Sequence, residues 1–212
     1  MLPRHTRIKV CGVCHSLDAY AAVSAGADAI GVIMAESPRQ LSLEEADEVM
    51  SVVPPFVSRV AVFVDAPDEY VAEAAGRLRL SHVQFHGSET PAQCAAAPVP
   101  VIKAFRIGPD FDPSEFEPYR DVVAAILLDT YVPSVPGGSG RTFAWGEVRG
   151  LPLWAPIIVA GGLNPVNVGI AVKTLRPFAV DVSSGVEERM RNKDPERLKA
   201  FCLAVRAADE EG

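Results

Sequence analysis

A thiol closes a strand-forming run near the start of the chain, Arg7-Ile-Lys-Val-Cys11-Gly-Val-Cys14-His15. Cys-x-x-Cys-His is the spacing of a c-type haem attachment site, Cys-x-x-Cys that of a redox or metal pair, and a lone cysteine where a strand meets a loop suits a general base. Haem attachment requires export and an axial partner, and the stretch from residue 1 to 7 lacks the apolar core of an export signal. A zinc site needs two further ligands, and Cys94 and Cys202 are isolated, with no second Cys-x-x-Cys. A thioredoxin-like pair is the stronger competitor, because such pairs open a helix after a strand. Cys11 acting alone as a base fits the strand end best.

A second candidate is Asp129, which follows Ala-Ala-Ile-Leu-Leu. Burial beside such neighbours raises a carboxyl pKa, as general-acid chemistry requires, whereas an Asp that merely caps the next turn would look the same in sequence. Two glycine-containing loops, Ala160-Gly161-Gly162-Leu163-Asn164 and Asp181-Val182-Ser183-Ser184-Gly185, have the small residues that let backbone amides approach a phosphate dianion. Arg39, in Ser37-Pro38-Arg39, has the fork geometry for a substrate carboxylate. His86 reads more as a satisfied structural histidine than a catalytic one, and the relative facing of His86 and Gln84 depends on where their strand ends. The loop at 136–142, Pro-Gly-Gly-Ser-Gly-Arg-Thr, lacks the Gly-Lys-Ser/Thr ending of a P-loop, and a substrate-covering loop and a plain connection remain equal readings.

Such residues must be brought together by the elements between them. Short β-branched runs at Arg7–Val10, Ala29–Met34, Ser58–Val64, His82–Phe85, Val99–Phe105, Ala124–Leu128, Ile157–Ala160 and Ala179–Val182 alternate with helical spacing at Ser16–Ala25, Ser42–Val52, Pro67–Leu78, Thr90–Ala97, Pro113–Tyr119, Phe143–Gly150, Pro165–Leu175 and Pro195–Ala208. Ser42-Leu-Glu-Glu45 is a capping box, and Asn164-Pro165 and Asp194-Pro195 each place a cap before a proline. Continuous runs such as Ile-Ile-Val-Ala at 157–160 suit parallel strands buried on both faces. Eight strand–helix units make a single (β/α)8 barrel domain over residues 1–212 the favoured architecture, ahead of an open doubly wound sheet. In a barrel, working groups lie at the C-terminal strand ends, and the loops after the seventh and eighth strands are where phosphate binds. Cys11, Arg39, Asp129, Gly162, Ser183, Ser184 and Gly185 all fall there.

The bulk composition narrows the partners. A 212-residue chain with 49% hydrophobic and 22% charged residues is long and apolar enough for a large core. Its formal charge of -7 and lack of basic runs argue against nucleic acid or an anionic membrane as the main partner, while leaving room for a local basic pocket. No apolar run approaches a membrane span, and four scattered cysteines suit reduced thiols, so a cytoplasmic protein is expected.

The motifs also resemble a family as an ordered set. Lys9-Val-Cys-Gly, Ala25-Gly-Ala-Asp-Ala-Ile-Gly, Ser37-Pro-Arg, Val60-Ala-Val-Phe-Val, Val83-Gln-Phe-His-Gly, Leu127-Leu-Asp-Thr, Gly137-Gly-Ser-Gly-Arg-Thr-Phe, Ala160-Gly-Gly-Leu-Asn-Pro and Val180-Asp-Val-Ser-Ser-Gly-Val-Glu are similar to the phosphoribosylanthranilate isomerases of tryptophan biosynthesis along nearly the whole chain. That resemblance implies an Amadori rearrangement of a phosphorylated small-molecule substrate with no cofactor and no metal, in a monomer or homodimer. It implies Cys11 as general base, Asp129 as general acid, Arg39 on the anthranilate carboxylate, and Gly162, Ser183, Ser184 and Gly185 in the phosphate loops. Asp181 is implied close by, in a substrate-binding position. A free thiol is only a few per cent ionised at neutral pH, so a base role for Cys11 calls for a nearby cation, and Lys9 is the candidate. Two rivals stand beside this reading: an isomerase of a related phosphoribosyl substrate on the same scaffold, for which two aspartates rather than a Cys/Asp pair are usual, and a non-catalytic barrel that senses a phosphorylated metabolite.

Overall fold

The computed structural model describes residues 5–108, 111–129 and 154–211. Eight parallel strands close on themselves: β1 (Arg7–Val10), β2 (Ala29–Ile33), β3 (Ser58–Phe63), β4 (His82–Phe85), β5 (Val101–Arg106), β6 (Ala125–Asp129), β7 (Ile157–Ala160) and β8 (Ala179–Val182), with β8 pairing back onto β1. Around them lie α1 (Ser16–Ala25), α2 (Leu43–Ser51), α3 (Asp68–Arg77), α4 (Pro91–Ala96), α5 (Val168–Leu175) and α6 (Pro195–Glu210). The expected closed barrel is thus the observed one. The helix predicted at Phe143–Gly150, and the glycine-rich loop at 136–142, lie outside the described residues.

The period-2 geometry of each strand sorts its residues into two environments. Outward-facing Ile8, Val10, Ile30, Val32, Phe63 and Val180 pack with helix residues such as Phe201 and Leu198 in the main core. Inward-facing Val60, Ile102, Ala104, Leu127, Ile158 and Ala179 fill the barrel interior. The interior side chains are small or medium in size, and toward the C-terminal ends polar residues such as Gln84, Asp129 and Asp181 join apolar ones such as Ile33, Val62 and Ala160.

Local chemistry sets the element ends. Ser42 accepts from the Glu45 amide while the Glu45 carboxylate accepts from the Ser42 amide, so the predicted capping box is formed. Thr90 and Gln93 repeat it at α4. Asp194 caps α6 through the amides of Glu196 and Arg197. Asn164 accepts from the amides of Val166 and Asn167, and α5 begins at Val168, after that turn, three residues later than its proline signal. The helix at Pro113–Tyr119 keeps its predicted bounds, and the start of β5 is corrected. The segment Pro113–Tyr119 is a 3₁₀ helix, with Pro118 inside it unable to donate a backbone hydrogen bond. Strand β5 starts at Val101 rather than Val99, because Pro100 has no N–H for the ladder.

After β8 the chain makes a 3₁₀ turn (Ser184–Val186) and then a small antiparallel hairpin, β9 (Glu187–Arg189) and β10 (Asn192–Lys193), before α6. Arg191 takes a left-handed backbone (φ 72°) at its tip.

Candidate active site

The C-terminal strand ends enclose a cavity of about 390 Å³, within the size range of small-molecule sites. Its walls include Cys11, Arg39, Asp129, Gly162, Asp181, Ser183 and Ser184. Seven of the eight residues predicted for the site therefore converge from five strand ends. Gly185, the eighth, is not on the wall. It lies behind, where an added Cβ would sit 1.9 Å from the Leu163 carbonyl oxygen, so its place is at the crossing of the two phosphate-type loops.

Cys11 follows β1 and is anchored by its amide donating to the Val182 carbonyl, 2.8 Å away. Alternation points it inward, on the face of Lys9, while Cys14 packs with the outer core and its thiol donates to the carbonyls of Gly12 and Arg39. The four cysteines are all free thiols. Lys9 pairs in register with Asp181 on the neighbouring strand, and their Nζ and Oδ2 are 2.8 Å apart, with Lys9 only 3% and Asp181 only 7% exposed. The sulfur lies beside the lysine: a Cβ on Gly31 of β2 would meet Cys11 Sγ at 3.0 Å and Lys9 Cε at 3.1 Å. Glycine at this position is what gives both side chains room.

These neighbours set the charges. Burial pushes the Cys11 thiol up, outweighing the downward pull of Lys9 and Lys193, and Asp181 adds to the upward push. Burial opposes the Lys9 charge, yet Asp181 and Cys11 together hold its ammonium above the ordinary lysine value. Asp181 is itself pushed up by burial against the attraction of Lys9. Its Oδ1 is buried without a hydrogen-bond partner.

Asp129 ends β6, inward by the same alternation as Leu127 and Ala125. Its Oδ2 is 3.3 Å from His86 Nε2. His86, read from sequence as more often structural than catalytic, continues immediately after β4 the inward face begun by Gln84, and both line the cavity. The Gln84 Oε1 is buried and unpartnered. The signal that would have found these two residues is the strand's own period, because Val83 and Phe85 belong to the outer core and leave Gln84 and His86 the inward face. Below His86, a buried Lys103–Glu89 ion pair (2.8 Å) holds the loop, Lys103 donating to the Gly87 carbonyl and Glu89 accepting from the amides of Asp65 and Gly87.

Arg39 reaches the cavity from the loop after β2. One edge of its guanidinium is already taken: Nε and Nη2 donate to the Glu187 carboxylate at 2.7 and 2.6 Å. Sequence reasoning missed Glu187, although it closes the Val180–Glu187 motif, because a hairpin beyond the barrel strands carries it back over the site. Burial works against the Glu187 charge, but hydrogen bonds from Arg39 and Lys193 hold its carboxyl below the usual range.

A thiol and a carboxylate facing across a cavity can exchange protons with a sugar held between them, and glycine and serine loops on the same rim can hold a phosphate. Known proteins match the chain closely along nearly its whole length. The model of the N-(5'phosphoribosyl)anthranilate (PRA) isomerase family matches residues 8–204. An N-(5'-phosphoribosyl)anthranilate isomerase of Pseudomonas fluorescens is 44% identical over 206 residues, 96% of this chain and 97% of that one. One from Geobacter sulfurreducens is 45% identical over 197 residues, 92% of this chain and 96% of that one. Among solved structures, the phosphoribosyl anthranilate isomerase of Thermotoga maritima superimposes with a TM-score of 0.86 at 39% identity, covering 96% of this chain and all of that one. A phosphoribosyl anthranilate isomerase in complex with reduced 1-(o-carboxyphenylamino)-1-deoxyribulose 5-phosphate gives 0.84 at 36% identity, with the same coverage. With the family model spanning nearly all of the barrel and relatives of this identity matched end to end, the chain belongs to the N-(5'-phosphoribosyl)anthranilate isomerase family.

Proposed function

We propose that this cavity converts N-(5'-phosphoribosyl)anthranilate to 1-(2-carboxyphenylamino)-1-deoxyribulose 5-phosphate by an Amadori rearrangement. The isomerase activity is that of the family; the assignment of steps to residues rests on one observation, the convergence of Cys11 and Asp129 on a single cavity rimmed by Arg39 and the loops after β7 and β8. Asp129 gives its proton to the ribose ring oxygen, the bond from that oxygen to the first sugar carbon breaks, and the nitrogen lone pair forms an iminium. Cys11 takes the proton from the second sugar carbon, and the electron pair left behind flows into the iminium nitrogen. The resulting enolamine relaxes to the ketone. The iminium is the electron sink, so the chemistry calls for no cofactor.

The electrostatics support this order. In the free site the Cys11 thiol is pushed up by burial, so only a small fraction is thiolate at neutral pH. Ring opening creates a positive iminium in the same cavity, and a nearby cation favours the thiolate. Gly162, Ser183 and Ser184 take the substrate phosphate, Asp181 contacts the sugar, and the free edge of Arg39 takes the anthranilate carboxylate.

Loss of phosphoribosylanthranilate fluorescence, followed on wild type, Cys11→Ser and Asp129→Asn, tests the assignment. General acid and base groups typically contribute about 10²–10⁴-fold each, and losses of that size in kcat are expected for both variants. Near-normal turnover in both would overturn the residue roles; an inert wild type would overturn the reaction.

A further inference from the structure

The hairpin after β8 carries two buried ionisable groups that the reaction scheme leaves unused, Glu187 and Lys193. Glu187 bridges two cations: Arg39 on one side and, through Oε1 at 3.1 Å, Lys193 Nζ on the other. The Lys193 side chain is fully buried, and its ammonium also donates to the Ser183 carbonyl at 3.1 Å. This is an unusual place for a lysine, because burial alone pulls its ammonium down.

Buried ion pairs are weak contributors to folding, and apolar replacements of equal volume often do as well. The hairpin is already stapled by uncharged acceptors: Arg191 donates to the carbonyls of Pro38 and Gln40, both at 3.1 Å, and Arg197 donates to the Glu187 carbonyl. What the charges change is the field at Arg39. An Arg39–Glu187 pair alone is neutral and would exert little pull on a second carboxylate. With Lys193 the trio carries one net positive charge, and among the described residues the Arg39 hydrogen bonds to Glu187 use Nε and Nη2 and not Nη1, in a side chain that forms part of the cavity wall.

We propose that Glu187 and Lys193 are positioning residues for substrate recognition: Glu187 fixes the plane of Arg39 by occupying one edge, and Lys193 supplies the surplus positive charge that lets the other edge hold the substrate carboxylate. The proposal rests on the reading of Arg39 as the carboxylate's partner. It makes the anion selectivity of the site depend on a residue behind the wall of the cavity.

Two ligands separate this role from a structural one: the reduced product analogue bearing the carboxyphenyl group, and its phenyl counterpart without the carboxylate. Calorimetric titration of both into Lys193→Met and Lys193→Gln should show the carboxylated ligand bound on the order of tenfold more weakly, and the phenyl ligand within about twofold of wild type. Lys193→Arg should restore the selectivity. The Gln variant retains an amide donor for Glu187 and Ser183 without the charge, so it decides the matter if the Met variant fails to fold. Equal weakening of both ligands would place Lys193's effect on the phosphate end or on the fold, and overturn the proposal, as would no weakening at all. Arg39→Met is the control: if it weakens both ligands alike, the carboxylate does not sit at Arg39, and the reading beneath the proposal has failed.

Discussion

Lys9 and Asp181 stand at the same level of adjacent strands β1 and β8, their side chains joined at 2.8 Å inside the barrel and directly below the Cys11 sulfur. The pair means that the cation nearest the thiol is already shared with a carboxylate. Lys9 tempers the upward push of burial on Cys11 without reversing it.

Replacing Lys9 with Met should therefore move the thiol further up. Since the thiolate is the proposed base, kcat/KM rises with pH through the Cys11 ionisation, and in Lys9→Met that rising limb should move to higher pH. Displacing the limb by a full pH unit lowers kcat/KM about tenfold at neutral pH. The variant also leaves the buried Asp181 without its partner, a loss of about 3–5 kcal/mol in urea unfolding. Lys9→Met with Asp181→Asn should recover much of the stability without returning activity to the wild-type level, because the pull of Lys9 on the thiol and the proposed sugar contact of Asp181 are both lost. A pH–rate profile unmoved in Lys9→Met would remove Lys9 from the account of the base.

Gly31 makes the space in which these two side chains meet. Gly31→Ala would put a methyl 3.0 Å from the sulfur and 3.1 Å from the lysine, tighter than ordinary packing. A destabilisation of about 1–3 kcal/mol by overpacking is expected, with a fall in kcat that exceeds any change in KM, because the displaced atoms are those of the base. Equal activity at wild-type stability would mean that the interior yields more than its close packing implies.

Much of this was legible in the sequence, and the reason differs by residue. Cys11 and Asp129 each stand at the C-terminal end of a strand candidate, and in a barrel that position was enough to select both from sequence, although it does not set which way their side chains face. His86 and Gln84 obey a strand's two-residue period, yet a strand of four residues gives too few positions to tell its inner face from its outer one until the partners of Val83 and Phe85 are known. Glu187 and Lys193 had no periodic signal. Their burial follows from a hairpin of three and two residues folding back onto the loop that carries Arg39, a tertiary event that local pattern does not encode. At Pro113–Tyr119 the apolar spacing suits an α-helix and a 3₁₀ helix equally, and Pro118 is the clue to the tighter form.

Glu187 also makes stability depend on pH. Its carboxyl is held below the ordinary glutamate range in the folded chain, the hydrogen bonds from Arg39 and Lys193 outweighing burial. A depressed carboxyl contributes stability that is fully present above its unfolded value, about 4.3, and is lost as pH falls through the lower folded value. Urea unfolding of the wild type should therefore weaken below about pH 4.3, and Glu187→Gln should show a shallower acid limb. Parallel curves for the two proteins would show that other carboxylates carry the acid sensitivity.

Gly185 tests the phosphate loops from behind. Its hydrogen atoms face the Leu163 carbonyl at a distance where a Cβ would lie 1.9 Å from the oxygen and 2.9 Å from its carbon. Both are backbone atoms, so no rotamer change can relieve the clash, and Gly185→Ala must separate the loop after β7 from the loop after β8. Those loops follow adjacent strands and contribute Gly162, Ser183 and Ser184 to the cavity wall. Widening the gap should weaken phosphate binding while leaving Cys11 and Asp129, on β1 and β6, in place. The expected signature is a KM raised about tenfold or more with a smaller change in kcat, together with weaker protection by inorganic phosphate in thermal unfolding. If Gly185→Ala folds and keeps its wild-type KM, the phosphate is not held between these two loops.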